Sequence, residues 1–420
     1  MPKRCAAALL ACIVLVVAAT AAALAHAYVL TTSPPVDATL DASPDRVVVA
    51  FDEPVTLESR EALVVRDAAG TIDPCAGKPY VNPDDVRQVV CRLAHPLPAG
   101  GVHVSWRVTS ADTHVVHGEF SFGVGTVVHA RAGETRSVYD PSGIPATFFR
   151  WLTLAGSLAI AGGLAFGVLV LAADVTGAAP LRARCAGLVR GGVMAAIAGA
   201  VGALVVQCAA ATGTDAIRGL ARADEVLTGS MWGWMWLVRI AALAAIALLT
   251  RGQHGPATAF ALVVAAVLLA SLSLSGHALV ALTPSTAVIA DWVHLAAAAV
   301  WTGGLVVLMR GPVSGAVVAR FSEFAIGSVA AIVLTGIWGS IAHLPTPATL
   351  ITAPYGLVII AKAVLLVPLL ALGYQNFRRG RSGAQTVDIA ATVTREAVLV
   401  LVVIVLSAVL TGLPLPHSPT

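Results

Sequence analysis

Charge is scarce in this 420-residue chain: Asp, Glu, Lys and Arg make up 12% of it, against about a quarter in a soluble domain. That shortage excludes an ordinary soluble protein as the whole molecule. The formal net charge of +3 is small and no basic tract concentrates it, which excludes a nucleic-acid partner. Methionine is absent between residues 26 and 145, so that region lacks a soft thioether site. Helical periodicity is also missing from residues 26–125, which excludes a helical N-terminal domain.

What replaces charge is apolar residues, 57% of the chain, and they are unevenly placed. Residues 37–140 hold most of the acidic side chains, while residues 147–413 are long apolar runs broken by short loops. Met1–Ala25 reads as a secretory signal peptide. Lys3 and Arg4 form its basic start, an apolar stretch follows, and Ala23-Leu24-Ala25 is a small-x-small cleavage site. The competing reading is an uncleaved first membrane helix, because Cys5–Ala25 is long enough to span. Cleavage after Ala25 makes His26 the first residue of the mature chain.

Within residues 26–125, "RVVVAFDEPV" (46–55), "EALVVRD" (61–67), "VHVSWRV" (102–108) and "GEFSFGV" (118–124) read as strands separated by Pro, Gly and Asp clusters. About 100 residues of short strands predict a small antiparallel sandwich or barrel. Residues 126–146 form a linker. Cys75 and Cys91 lie in this exported region, where an oxidising compartment predicts a disulfide. Cys185 and Cys208 lie in or near apolar segments and read as small packing residues.

From residue 147 onward, eight apolar segments of spanning length are predicted, near 147–173, 187–211, 231–250, 257–275, 286–309, 323–342, 355–373 and 395–413. Arg182, Arg184, Arg190, Arg251, Arg310, Arg320, Arg378, Arg379 and Arg381 all fall on one side of that succession. The positive-inside rule then puts both ends of the membrane domain outside, in agreement with an exported N-terminal domain.

A mature N-terminal His26 brings two donors at once, its α-amine and its imidazole Nδ1, which chelate one ion in a six-membered ring. Cu(II) favours such nitrogen donors in tetragonal geometry. "SADTHVVHGEFSFGV" (110–124) supplies the further imidazole and carboxylate, since Asp112 and His114, two apart, point to one side of an extended segment. His117 has odd spacing to both and faces away if the strand is regular. These residues carry a resemblance. "HAYVLTTSPPVDATLDASPDRVVVAFDEPV" followed by "VSWRVTSADTHVVHGEFSFGV" resembles the periplasmic copper-binding CopC family over nearly all of residues 26–124. The resemblance implies an immunoglobulin-like β-sandwich holding Cu(II) on His26, by amine and ring, with Asp112 and His114, and with Glu53 of "FDEPV" close to the site. Thr113 stands where the family has glycine. His117 stands where a small residue is usual, leaving it as an extra ligand or a bystander, and its spacing favours the bystander. His95, His103 and His129 read as surface residues.

In the membrane half the informative residues are polar ones at depth. In "SGHALVALTPSTAVIADWVHLAAAAVWTGGL" (275–305), His277 marks the outer end of the fourth segment, and Asp291 and His294 share a helix face. A hydrogen-bonded structural pair and an ion or proton path are the two readings of that pair. Arg239, Lys362 and Gln207 are the other costly groups, with Lys362 available to Asp291. The "GHA…DWVHLAAAAVWTGGL" constellation, with "RFS" (320–322), "LGYQN" (372–376), "RE" (395–396) and "LTGLPLP" (410–416), resembles the CopD copper-resistance membrane domain over about 147–416. Together the two halves resemble CopC–CopD fusion proteins. That resemblance implies a multi-pass protein of the cytoplasmic membrane whose exported domain binds Cu(II), with copper moved across the bilayer, generally as uptake. Its partners would be the copper ion, the lipid bilayer and other copper chaperones. The expected architecture is therefore an N-terminal all-β immunoglobulin-like sandwich followed by an all-α eight-helix transmembrane bundle. A membrane-anchored copper sensor or storage protein, and an N-terminal-histidine copper oxidase or monooxygenase, are the rival functions.

Overall fold

The computed structural model describes residues 29–58, 61–67, 69–70, 72–73, 75–111, 115–127, 143–171, 178–251, 256–280, 283–309, 313–381, 386–387, 389–413 and 415–416. It divides into two compact units. One is built on residues 147–203 with 235–420, and the other joins the N-terminal β domain to residues 204–234.

The β domain is two sheets face to face. The first runs β1 (Val29–Ser33), β3 (Arg46–Phe51), β8 (Gln88–Arg92), β7 (Tyr80–Val81). The second runs β2 (Thr39–Leu40), β10 (Val115–Val124), β9 (Gly100–Ser110), β5 (Leu63–Arg66), β6 (Ile72–Asp73), with β4 (Val55–Thr56) also on β9. The alternation that predicts these strands also fills the core. Val47, Val49 and Phe51 of β3 meet Val102, Val104 and Val108 of β9 and Phe120, Phe122 and Val124 of β10. Trp106 closes that core with its ring edge-to-face on Phe51, centroids 5.1 Å apart.

All four predicted runs are strands; the two-residue β2, β6 and β7 are additional, as are the longer β1 and β8. Neither alternates. β1 is "VLTTS", and β8 buries three successive residues, Val89, Val90 and Cys91. The predicted disulfide is present, joining Cys75 to Cys91, whose side chain is fully buried in β8. Closing a loop of sequence separation 16 is worth about 3 kcal/mol in the chain-entropy picture.

The other unit is helical. Its elements, together with those that residues 204–234 lend to the β domain, are α1 (Ile144–Ala165, continued by a wider turn Phe166–Val170), α2 (Ala179–Thr212), α3 (Ala216–Leu220), α4 (Ala223–Gly229), α5 (Met231–Leu249), α6 (Pro256–Ser273), a short turn His277–Val280, α7 (Pro284–Leu308), α8 (Gly315–His343), α9 (Thr349–Thr352), α10 (Pro354–Gly380) and α11 (Ala390–Leu410). Seven helices are long and apolar enough to cross a membrane, and α6 is a shorter apolar helix where the fourth segment was predicted. Each of the eight predicted segments is thus one helix. The helices are apolar on most sides because both neighbours and lipid tails are apolar.

In the C-terminal half α7 packs on α8, α8 on α10, α10 on α11, and α11 back on α7, closing a four-helix bundle. α1 crosses α7 at Gly162 and Gly303. A methyl group on either glycine would collide with the other helix's backbone, so the crossing requires both.

Candidate functional site

Three strand registers meet at one end of the sandwich. Val29, near the start of the described chain, pairs with Phe51, two residues before Glu53. Val55, two residues after Glu53, pairs with Ser110 at the end of β9. Thr109 pairs with Val115 at the start of β10. The chain segments leading to His26 and into the β9–β10 connection therefore leave from the same end, and Glu53 sits between them. His26, Asp112 and His114 themselves lie outside the described residues. His117 lies on β10 directly opposite Arg107 of β9. His103 is hydrogen-bonded to Glu119 at 3.1 Å and Ser121 at 3.2 Å, across the same strand pair.

The helical unit gathers its buried polar residues around Asp291. Ser273 of α6, His277 of the short turn, His343 at the end of α8 and Lys362 of α10 surround its carboxyl. Tyr355 of α10 stands against both imidazoles, its ring centroid 5.9 Å from His277 and 6.4 Å from His343. His343 Nδ1 is 2.7 Å from the Gly339 carbonyl oxygen and its Nε2 is 3.3 Å from that of His277. Both ring nitrogens of His343 thus face carbonyl oxygens, which only accept. His294, one turn past Asp291 on α7, has Nδ1 2.9 Å from the Thr335 hydroxyl of α8. That hydroxyl already donates to the Ala331 carbonyl at 2.6 Å. Nδ1 of His294 therefore donates, which in the neutral imidazole leaves Nε2 as the acceptor.

The structure thus brings His277 and Asp291 into one cluster, with His294 adjoining it. Lys362 of α10 acts electrostatically on both Asp291 and His294. Among the described residues no three His, Cys, Asp or Glu side chains converge closely enough to hold a metal ion. In this geometry the cluster is a lined polar region within apolar helices and not a preformed coordination site.

Known proteins divide along the same lines. The family model described as the CopC domain matches residues 29–125. The copper resistance protein D-like N-terminal domain matches residues 141–283, and copper resistance protein D matches residues 315–410. The copper transport protein CutJ of Bacillus subtilis is 25% identical over 420 residues, covering 94% of this chain and 75% of that protein. The chain belongs to the CopC–CopD fusion family. Copper resistance protein C of Escherichia coli is 32% identical over 116 residues, 26% of this chain and 90% of that protein. Among solved structures, CopC of Methylosinus trichosporium is 24% identical and covers 26% of this chain and 100% of that one, with a TM-score of 0.21. The protein is accordingly a copper-homeostasis membrane protein.

One feature of this CopC–CopD chain has no signal in its strand or helix patterns. Residues 204–234 pack with the CopC domain. Val115 shares a buried cluster with Cys208, Ala210, Ala211 and Val226. Arg107 Nη1 donates to the Ala210 carbonyl at 2.7 Å. Gly213, at φ +67°, lies against the Arg107 guanidinium where a side chain would collide. Asp215 caps α3 by accepting from the Ile217 and Arg218 amides, both at 3.0 Å. Gln207, read from sequence as a costly membrane group, belongs to this contact instead and faces Glu58.

Glu58 is 4% exposed, with Ser230, Thr109 and Gln207 around its carboxyl. Burial pushes its pKa from 4.5 up to about 7, outweighing the lowering by those three side chains. The sign follows. Below pH 4.5 the carboxyl is protonated in both folded and unfolded chains. As pH rises from 4.5 to 7 the unfolded chain releases its proton first, so stability falls, by about 3 kcal/mol at most, and stays low above pH 7. Glu58→Gln is expected to remove that fall. Melting temperatures of wild type and E58Q at pH 5 and pH 8 check it: the wild type should lose more stability on alkalinisation than the variant.

In the sequence, Thr335 of "TG" (335–336) and Tyr355 of "YGLVIIAK" (355–362) carry only the CopD resemblance, and His343 marks the outer end of its segment without a specific role. Their place beside His294 and His277 appears only in the packed helices. Arg239 finds its partners locally, donating to Ser275 Oγ at 2.9 Å and the Ser271 carbonyl at 3.1 Å. It therefore ties α5 to α6 and stays apart from the Asp291 cluster.

Proposed function

We propose that this protein captures Cu(II) in its exported CopC domain and moves copper inward across the cytoplasmic membrane through the bundle α7–α8–α10–α11. His26, by α-amine and Nδ1, holds the ion with Asp112 and His114, and Glu53 lies beside the site. The strand registers that bring Val29, Glu53, Ser110 and Val115 to one end of the sandwich support that ligand set. The basic residues gathered on alternate loops, from Arg182 to Arg381, support placing those loops on the cytoplasmic side. Signal cleavage after Ala25 supplies the free amine, and other copper chaperones in the exported compartment would load it.

The observation that carries the transport reading is the polar cluster of His277, Asp291, His343 and Lys362, with His294 beside it, inside helices that are otherwise apolar. An anchor has no use for ionisable groups there, each of which costs several kcal/mol at depth. A carboxylate draws a cation inward, and His294 Nε2 offers it a donor one turn deeper. Cellular copper after expression of the full chain tests the reading. Wild type should raise copper content in proportion to expression, and His294→Ala at equal membrane abundance should not. Equal accumulation by both would remove the transport role of this cluster.

A further inference from the structure

At the opposite end of the bundle from His277 lies a second buried carboxyl that the Asp291 cluster does not include. Glu396 of α11 is 1% exposed. It accepts from Asn376 Nδ2 of α10 at 2.9 Å, and the Trp301 side chain of α7 faces it as a second donor. The backbone of Gly373 lies against Oε1. Asn376 is 7% exposed and its Oδ1 has no hydrogen-bond partner. No cation pairs with Glu396 among the described residues. Arg379 of α10 donates to Thr392 at 2.7 Å, one turn before Glu396 on α11. Arg395, the next residue, is exposed, and Trp301 is what α7 brings to the carboxyl.

The same three helices connect this site to the outer cluster. On α10, Tyr355, Lys362, Leu369 and Asn376 recur every seven residues and so lie along one stripe. The first two line the Asp291 cluster and the last holds Glu396. Those 21 residues rise about 31 Å, the thickness of a bilayer's hydrocarbon core. On α7, Asp291 and His294 serve one end and Trp301 the other. Fully buried Leu369 separates the two polar stations, beside Pro368, which leaves one helical hydrogen bond of α10 unmade.

A buried carboxylate without a counter-charge is sustained only when it is protonated or when a cation stands beside it. Glu396 faces that choice at the far end of the stripe, with Asn376 Oδ1 nearby as a second buried acceptor. We propose that Glu396 is a proton-binding station on the exit side of the copper path: it holds a proton while the bundle is empty and releases it to cytoplasmic water as the cation arrives. The proton that leaves offsets one positive charge of the entering ion. This inference rests on the transport reading above.

Copper entry into proteoliposomes of the purified full chain, with the internal pH clamped at values from 5 to 8, tests it. In wild type, entry should slow as the lumen is acidified, by up to about tenfold per pH unit below the midpoint for a single competing proton. Glu396→Gln keeps the size and an acceptor for Asn376 but cannot titrate, so its entry should be flat across that range. Glu396→Asp keeps the proton on a shorter arm and should shift the midpoint. If E396Q folds and binds Cu(II) in its CopC domain but moves no copper, the E396D profile decides: a shifted midpoint supports the station and an unchanged one overturns it. A wild-type pH profile in E396Q also overturns it. Absence of copper entry in wild type would instead overturn the transport reading, a result separable from either.

Discussion

Replacing His26 by alanine, or adding a single residue before it, is expected to weaken Cu(II) binding to the exported domain about a thousandfold, about 4 kcal/mol. In the proposed site His26 would contribute two of the donors, which close one chelate ring. Alanine removes the imidazole and breaks the ring. An added residue converts the amine to an amide and removes it as a donor near neutral pH. In the proposed site Asp112 and His114 would remain in both cases, but as separate arms. The added-residue variant is the sharper of the two, because every side chain is kept. A Cu(II) competition titration of the purified chain checks both, and undiminished affinity would remove the terminal chelate.

Asp291→Asn is expected to lower copper movement about a hundredfold while leaving Cu(II) capture by the CopC domain unchanged. Asparagine keeps the shape but not the charge, and a single charge within apolar helices is worth a few kcal/mol. In its place the imidazoles of His277 and His343 and the ammonium of Lys362 would face an approaching cation with no negative charge among them. Copper flux and exported-domain affinity measured on the same preparation check this. Loss of both together would point to misfolding, and loss of neither would exclude Asp291 from the path.

Much of the architecture is legible in the sequence. Period-two alternation such as "RVVVAF" specifies a buried face directly, and apolar runs broken by arginine-bearing loops specify spans. The spacing of Asp291 and His294 likewise specifies a shared face. What the sequence leaves unread are contacts made by distant segments. Val115 and Glu58 meet residues 207–230 only because the chain after α2 folds back on the CopC domain, which neither helical nor strand periodicity encodes. Tyr355 and His343 join His277 through a turn too short to carry a pattern. Glu396 and Asn376 stand in "RE" and "LGYQN", stretches that mark the CopD resemblance but whose chemistry appears only when α10 and α11 pack.

The proposed function requires that copper cross a bilayer through this chain alone. Purified full-length protein reconstituted in liposomes, given Cu(II) outside and assayed for copper inside, measures that. Time-dependent entry above protein-free liposomes, abolished by Asp291→Asn, is the predicted result. Copper bound to the CopC domain with none reaching the interior would contradict it and leave the helices as an anchor.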